Sequence, residues 1–400
     1  MATIYTPILK EYFWEWATVP VIHTLDYQNI QSFDPCSVFV EFGDQIERRY
    51  FSKQSEIVPN RIIEHLQAHS GSILVFDICT EVWWTPQQGN FWNQVYTDII
   101  ACGIEENRIH FIHNNCVQQN KFSTYFPHSK HSNINWWEIF THYHKPDCEL
   151  PSAKYEYSFF NRSLKAGRTN FSYQLLTDPK FTSRSLYSLQ GRDCRTWEDQ
   201  AASTALQHNI IQSFPTVGDV FTPSQQQIQA WFDSNPWQSL PADLDSLRDV
   251  YDYSSYFYDE LYYATALGKI AVVAETWTSE PEDMFFVTEK LFRPITVGRS
   301  FVVLSTCCYL KYLHSLGYQS FSTLWNEGYD EIEDIHERSY HLKVLINNLH
   351  NSHYDTQEII AHNLATIIER TEYSRIIKGF DPGLAVLFKS TVDLSTFFKR

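Results

Sequence analysis

Short apolar runs separated by helical stretches are the feature that most limits how this 400-residue chain can fold. Ser72–Phe76 has the composition of a buried strand, Phe91–Cys102 that of a helix, and Arg108–His113 that of a second strand. A strand, a helix and a strand at this spacing form a βαβ unit, which requires parallel pairing and a right-handed crossover. The sequence therefore predicts an α/β fold whose first part contains a parallel sheet.

The same order of elements returns in the second half of the chain. Lys154–Phe160, Lys269–Ala274 and Ser300–Ser305 contain apolar runs typical of strands that are covered on both faces. A helical stretch at Tyr258–Leu267, with Gly268 predicted as its stop, precedes the second of these strands, and another directly after Lys290 precedes the third. Both halves are thus predicted to alternate strands with helices.

A loss of periodicity marks the boundary between the halves. Between about residues 129 and 151, polar residues and histidines cluster as they do in linkers. We therefore predict two Rossmann-like domains that face each other across a cleft, over residues 1–150 and 151–378. Residues 379–400 are predicted to form a C-terminal tail segment.

Composition narrows the expected partners and compartment. The 31 Lys and Arg against 47 Asp and Glu give a net charge of −16, which opposes non-specific attraction to nucleic acids and anionic membranes. No run approaches the roughly 20 apolar residues of a membrane span, and the N-terminus lacks the pattern of a signal peptide. The 8 cysteines include no CxxC pair. We expect a soluble, cytoplasmic protein for which nucleic acid is an unfavoured partner.

Polar side chains follow the two strands predicted in the first half. Asp77 ends the first strand and is followed by Glu81, while His113, Asn114 and Asn115 end the second. In parallel sheets, ligands collect at the carboxyl ends of the strands. These five side chains are therefore expected to line one crevice.

The second half presents polar groups at a predicted helix start. Thr288, Glu289 and Lys290 offer a hydroxyl, a carboxylate and an ammonium group where backbone N–H groups and the helix dipole favour phosphate. Gly298 and Gly317 are predicted to end this helix and the next, because glycine adopts the left-handed C-cap most easily. Four polar residues after the strand at Lys154–Phe160 form a second expected anion site: Asn161, Arg162, Lys165 and Arg168.

These stretches together resemble a known family. VTEKLFRPI, the strand SFVVLS, then YLKYLHSLGYQSF and GYDEIEDIHER are similar to the donor-binding half of GT-B glycosyltransferases of the alpha-1,3-fucosyltransferase type, glycosyltransferase family 10. The likeness extends to fucosyltransferase-like proteins of bacteria and large phages. NRSLKAGR and AVVAET resemble two further segments of the same domain, so the resemblance covers roughly residues 155–350.

The resemblance implies roles for the polar residues of the second half. Glu289, in the Thr288–Lys290 segment, would bind the ribose diol of a nucleotide sugar, and Lys290 with Arg162 or Arg168 would neutralise the diphosphate. Fucosyltransferases usually carry a tyrosine three residues before the glutamate, where this chain has Phe286. The transferred sugar is therefore left open between fucosyl and another hexosyl group.

The first half is expected to hold the acceptor. Inverting transfer needs a base near the acceptor hydroxyl, and Glu81 and Asp77 are the candidate catalytic carboxylates. His113 is a third candidate, and with Asn114 it forms the expected acceptor side. No metal is predicted: the DxD match at Asp243–Asp245 is too short to be specific, and no HExxH occurs.

The sequence thus predicts a metal-independent, inverting glycosyltransferase that moves a sugar from a GDP- or UDP-linked donor to a glycan or other hydroxyl acceptor. No cofactor beyond the nucleotide sugar is expected. Absence of GxGxxG, Walker and GxSxG motifs lowers the dehydrogenase, NTPase and hydrolase interpretations. The alternative is a non-catalytic carbohydrate- or nucleotide-binding protein with the same fold. Transfer onto modified DNA is a third hypothesis, which the acidic composition disfavours.

Overall fold

The computed structural model describes residues 3–6, 21–23, 30, 32–42, 46, 49–52, 56–78, 86–114, 116–143, 145, 149–163, 165–192, 204–234, 236, 259–276, 278, 285–350, 354–372 and 375–376. The chain divides into two compact units. The first unit comprises Met1–Ile139 together with Arg370–Arg400, and the second comprises Phe140–Glu369. The division therefore falls 11 residues before the predicted domain boundary at residue 150. The predicted C-terminal tail segment, 379–400, lies outside the described residues.

The first unit is built on a six-stranded sheet in the order β2-β1-β3-β4-β5-β6, with every recorded pair parallel. Its strands are β1 (Thr3–Thr6), β2 (Val21–His23), β3 (Ser37–Phe42), β4 (Ile73–Ile78), β5 (Ile109–His113) and β6 (Lys130–Asn133). Helices follow four of these elements along the chain: Asn60–Ala68, Pro86–Ala101, Cys116–Tyr125 and Trp136–Tyr143.

Aromatic side chains fill the core of the first unit. Phe76 and Phe111, on neighbouring strands β4 and β5, stack with ring centroids 5.4 Å apart. Trp92, from the helix Pro86–Ala101, meets Phe76 edge-on at 5.5 Å. Strands of a parallel sheet that carries helices are buried on both faces, which explains the continuous apolar runs in β4 and β5.

The second unit has a four-stranded parallel sheet in the order β10-β9-β7-β8. Its strands are β7 (Tyr155–Ser163), β8 (Ser185–Arg192), β9 (Gly268–Ala274) and β10 (Ser300–Leu304). Its helices are Ala166–Leu176, Pro179–Thr182, Thr204–Gln212, Gln225–Asp233, Asp259–Ala266, Glu289–Thr296, Tyr309–Ser315 and Ile335–Leu349; a further helix, Gln357–Thr371, reaches the start of the segment assigned to the first unit.

The strand order of the second unit reverses in the middle of its sheet. From β7 the chain passes to β8 on one side, and later to β9 and then β10 on the other. The carboxyl ends of β7 and β9 therefore mark the switch point, the place at which open parallel sheets bind ligands.

Two α/β units with parallel sheets confirm the predicted fold class. Gly298 and Gly317 have the predicted left-handed conformation, with φ of 68° and 93°. The predicted linker near residues 129–151 is wrong in part, because it contains β6 and the helix Trp136–Tyr143. The strand β6 was not predicted because its sequence is polar. It lies at the edge of the sheet, where hydrogen bonds to β5 hold it.

Among the described residues, every helix is too short or too polar to cross a membrane.

Gly268 was expected to stop the preceding helix, but it begins β9 instead. A Cβ at this position would lie 2.7 Å from the backbone nitrogen of Ser158 on β7. The close approach of the two strands therefore requires glycine here.

We predict that Gly268→Ala lowers the free energy of unfolding by about 2 kcal/mol, because backbone atoms of a central strand cannot move aside. Denaturant unfolding measures the change. Gly71→Ala is the matched control, since the atom nearest to its Cβ would be the movable Sγ of Cys36 at 3.0 Å. Equal losses in the two variants would contradict the steric explanation.

Candidate functional site

A cluster of polar residues lies beside the switch point of the second unit, which we call the β9 cluster. It consists of Glu275 and Thr276, which directly follow β9, and of Thr288, Glu289 and Lys290, at the start of the helix Glu289–Thr296. Thr288 is the N-cap of that helix, and its hydroxyl accepts a hydrogen bond from the backbone nitrogen of Lys290 at 3.3 Å. The predicted helix start is therefore confirmed.

Glu275 is a fully buried carboxylate that holds the β9 cluster together. Thr288 donates to it from the backbone N–H at 3.0 Å and from the hydroxyl at 2.6 Å. The hydroxyl of Tyr309 donates at 3.2 Å, and the backbone N–H of Thr276 at 3.3 Å. A carboxylate can be buried only when such donors replace its water shell. Glu275 thus joins the end of β9 to two helix starts.

Lys290 turns its ammonium group toward this network. Its Nζ lies 3.1 Å from Oγ1 of Thr276, 3.2 Å from Oγ1 of Thr288 and 3.0 Å from Oε1 of Glu289. The side chains of Lys290 and Glu289 are 25% and 21% exposed, so both reach solvent at the carboxyl edge of the sheet. The pair is placed where a ligand can contact it.

Glu289 is held in its ionised form. Burial by itself raises the pKa of Glu289, but the positive charges of Lys290 and Arg293 and the hydrogen bond from Lys290 outweigh it and lower the pKa to about 2. Arg293 is one helical turn further along and lies over the ring of Tyr262, 5.7 Å from its centroid. A carboxylate that stays charged at neutral pH is suited to accept hydrogen bonds from two hydroxyl groups.

Arg168 is the one predicted arginine whose side chain the structure describes. It lies in the first turn of the helix Ala166–Leu176, is 3% exposed, and donates from Nε to the backbone oxygen of Glu275 at 2.7 Å. Arg168 therefore bridges the chain after β7 to the chain after β9. Direct contact with a phosphate stays a prediction.

The other residues of the predicted anion site have different positions. Asn161 lies inside β7, buried, and donates to Oγ of Ser172 at 2.9 Å, so it has a packing role. Arg162 also lies in β7 rather than after it, and the structure does not describe its side chain. Lys165 is the N-cap of the helix Ala166–Leu176 and is partly exposed.

The predicted acceptor-side residues of the first unit share the carboxyl edge of the sheet but not one face. Asp77 is paired in register with Ile112, and His113 with Ile78. Because successive side chains of a strand point to opposite faces, Asp77 and His113 lie on opposite faces of the sheet. Both are buried, as is Asn114 directly after β5. Glu81 and Asn115 lie outside the described residues.

His113 forms a pair with a histidine that sequence reasoning missed. Its Nε2 lies 3.1 Å from Nδ1 of His131 on β6, and Nε2 of His131 lies 3.1 Å from the carbonyl oxygen of Phe126. Burial lowers the pKa of both histidines, well below the usual value for His113. In the neutral pair, His131 donates to Phe126 and accepts from His113. Nδ1 of His113 is then left as a buried acceptor with no hydrogen-bond partner among the described residues.

Two residues beyond the predicted set support the β9 cluster. Tyr309 begins the helix Tyr309–Ser315, and burial together with the charge of Glu275 raises the pKa of its hydroxyl well above the usual value. Asp330 accepts from the backbone N–H of Leu310 at 2.8 Å, and its own carbonyl accepts from Cys308 at 2.8 Å. The signal for Glu275 was available in the sequence, because it directly follows an apolar strand; nothing local marks Tyr309 or Asp330.

In the part of the chain that the structure describes, no group of three or more His, Cys, Asp or Glu is arranged to hold a metal ion. Asp243 and Asp245 of the DxD match lie outside that part.

No protein-family profile and no characterised protein sequence matches the chain. One solved structure that aligns with it is the DNA-modifying enzyme beta-glucosyltransferase, determined in the presence and absence of its substrate uridine diphosphoglucose. That alignment covers 100% of this chain and 98% of the other, at 9% sequence identity and a TM-score of 0.41. At so low a TM-score the likeness supports no conclusion about activity.

The buried carboxyl group of Asp330 makes the stability of this region depend on pH. Burial raises the pKa of Asp330 from 3.8 to about 7. Because the folded state binds this proton more tightly than the unfolded state, protonation of Asp330 stabilises the fold. That stabilisation is complete below about pH 3.8 and is lost as the pH rises through about 7. Asparagine resembles the protonated acid and avoids this loss.

We therefore predict that Asp330→Asn is more stable than the wild type at pH 8, on the order of 2 kcal/mol, and that the advantage shrinks toward pH 5. Thermal unfolding at the two pH values measures it. Asp355→Asn is the control for the same chemical replacement, because Asp355 is exposed and its carboxylate accepts from the backbone N–H of Gln357. An advantage of equal size at both pH values would rule out titration of Asp330 as its cause.

Proposed function

We propose that the chain is a metal-independent glycosyltransferase of the GT-B type. It would move a sugar, fucosyl or another hexosyl group, from a nucleoside diphosphate to the hydroxyl of a glycan or other acceptor. The observation that carries the proposal is the ionised Glu289 beside Lys290, both partly exposed, at the switch point of a parallel sheet. We expect it to act in the cytoplasm, where its scattered cysteines stay reduced.

Glu289 and Lys290 would bind different parts of the nucleotide. The carboxylate of Glu289 accepts hydrogen bonds from the two ribose hydroxyls, a task that suits a group ionised at neutral pH. The ammonium of Lys290 exchanges its contact with Oε1 of Glu289, now 3.0 Å long, for a phosphate oxygen. Thr288, which places both residues by capping the helix, adds the backbone N–H groups of a helix start.

Cations would take the place of a metal ion when the nucleoside diphosphate leaves. Negative charge grows on the diphosphate in the transition state, and positive groups fixed beforehand stabilise it without rearranging. Lys290 is one such group. Arg168 fixes the geometry through the carbonyl of Glu275, and either Arg168 or Arg162 supplies the second charge.

The acceptor hydroxyl would be activated in the first unit, in an inverting displacement. His113 is a poor proton acceptor, because burial lowers its pKa well below the usual value. We therefore propose that the base is a carboxylate, Glu81 or Asp77. Neutral His113, with its buried Nδ1, and Asn114 would help to position the acceptor.

We expect that replacing the base strongly slows transfer but leaves nucleotide affinity unchanged. Asp77→Asn and Glu81→Gln are to be compared with wild type by release of nucleoside diphosphate from the donor sugar, with the acceptor that a screen identifies. The variant that lacks the base should be slower by about 100-fold or more. A loss confined to His113→Gln would overturn the carboxylate assignment.

A non-catalytic nucleotide- or carbohydrate-binding protein is the alternative. The two functions differ in whether a bound donor sugar is ever cleaved, so slow donor hydrolysis without acceptor distinguishes them. Transfer onto modified DNA remains the less favoured acceptor hypothesis given the net charge of −16. A mobility shift of DNA at low salt would favour it.

The different roles proposed for Glu289 and Lys290 lead to different predictions for nucleoside and nucleotide binding. Glu289→Gln should weaken the binding of a nucleoside and of its diphosphate (GDP or UDP) by the same factor, roughly 10-fold or more, because both ligands carry the ribose. Lys290→Gln should weaken only the diphosphate. Isothermal titration of the wild type and both variants with guanosine, GDP, uridine and UDP measures these affinities.

Glu358→Gln, an exposed glutamate on the helix Gln357–Thr371, is the matched control and should bind like the wild type. The proposed function is wrong if neither GDP nor UDP binds, or if both bind equally well to wild type and to Glu289→Gln.

A further inference from the structure

Two adjacent cysteines follow β10 on the carboxyl side of the sheet. The Sγ atoms of Cys307 and Cys308 are 3.6 Å apart, a contact between two thiol groups. Cys308 is partly exposed, whereas Cys307 is 5% exposed. One sulfur can therefore meet a reagent from solvent while the second lies directly behind it.

The backbone at Cys308 has an unusual conformation. Its φ of 60° and ψ of 24° are left-handed, and no other non-glycine residue that the structure describes has a positive φ. A side chain with a Cβ is disfavoured in this region, and such residues concentrate at functional sites. The conformation turns the two neighbouring thiols toward each other.

A buried cation lies near both sulfurs. Arg338 is 1% exposed, and its charge interacts with Cys307, Cys308 and Asp330. Its guanidinium is held by the backbone oxygens of Glu333 at 3.2 Å and Thr278 at 2.7 Å. Attack on a peroxide starts from the thiolate form of a cysteine, and Cys308 is the sulfur of the pair that solvent reaches.

We propose that Cys307 and Cys308 form a modification site that a hydroperoxide oxidises reversibly to a disulfide. The thiolate of Cys308 attacks one peroxide oxygen, the O–O bond breaks, and water or an alcohol leaves after taking up a proton. The resulting sulfenic acid of Cys308 is attacked by the sulfur of Cys307, and its oxygen departs as a second water. The two thiols lose two electrons in total, and the peroxide gains them.

The geometry of neighbouring residues makes this disulfide easy to reverse. Adjacent Cα atoms are about 3.8 Å apart across a trans peptide, which is closer than the roughly 4.4–6.8 Å usual for disulfides. A bond closed at that separation is strained and has a more oxidising potential than a structural disulfide. A dithiol reductant should therefore restore both thiols.

Oxidation would also act on the β9 cluster. Ring closure rotates the backbone at Cys308, whose N–H donates to Asp330 and whose neighbour Tyr309 donates to Glu275. Glu275 in turn holds Thr288. We expect the oxidised protein to bind nucleotide several-fold more weakly, an effect that rests on the proposed function, whereas the oxidation itself does not.

The test treats the full chain with one equivalent of hydrogen peroxide, blocks remaining thiols by alkylation and maps the peptides by mass spectrometry. The expected product is a peptide with residues 307 and 308 that has lost two hydrogens and escapes alkylation until dithiothreitol is added. Cys308→Gly, which suits the positive φ, should not form it. Cys102→Ser removes an exposed thiol and should form it as the wild type does.

The proposal is overturned if Cys36 or Cys102 is oxidised first, if Cys308 passes to the sulfinic acid without a disulfide, or if the disulfide resists dithiothreitol. GDP and UDP titrations of the reduced and oxidised protein then test the coupling. Equal affinity in both states would overturn the coupling alone. A reduced protein that binds neither nucleotide would refute the proposed function and leave the modification site standing.

Discussion

The buried carboxylate of Glu275 is the interaction on which the candidate site depends. Its oxygens accept from the backbone and hydroxyl of Thr288 and from the hydroxyl of Tyr309. A buried carboxylate without donors costs several kcal/mol, so the carboxyl end of β9 and both helix starts are held in place together. Glu289 and Lys290 keep their positions at the edge of the sheet because Thr288, the residue before them, is bound to Glu275.

The second unit concentrates charged and titratable groups at the carboxyl edge of its sheet. Glu289 is kept ionised by Lys290 and Arg293, whereas burial favours the protonated form of Asp330. These opposite pKa shifts arise because Glu289 has two cations close by, and the attraction of Arg338 does not offset the burial of Asp330. In the first unit, burial lowers the pKa of both histidines of the pair formed by His113 and His131.

Much of the fold could be predicted from local patterns. The strands β4, β5, β7, β9 and β10 are apolar runs, and each was recognised to within a few residues. The strand β6 was missed because KHSN has no apolar pattern, and its hydrogen bonds come from β5. Gly268 was misread because glycine stops helices and also permits close strand contacts, and only the neighbouring Ser158 distinguishes the two uses.

The sequence by itself determined the features that depend on neighbours along the chain. These are the alternation of strands and helices, the helix start at Thr288 and the left-handed glycines at 298 and 317. Tertiary structure decided which distant groups meet: Glu275 finds donors 13 and 34 residues further on, and His113 meets a histidine 18 residues away. Periodicity reports which face of an element is buried, but pairing across the sheet sets which polar groups must satisfy each other there.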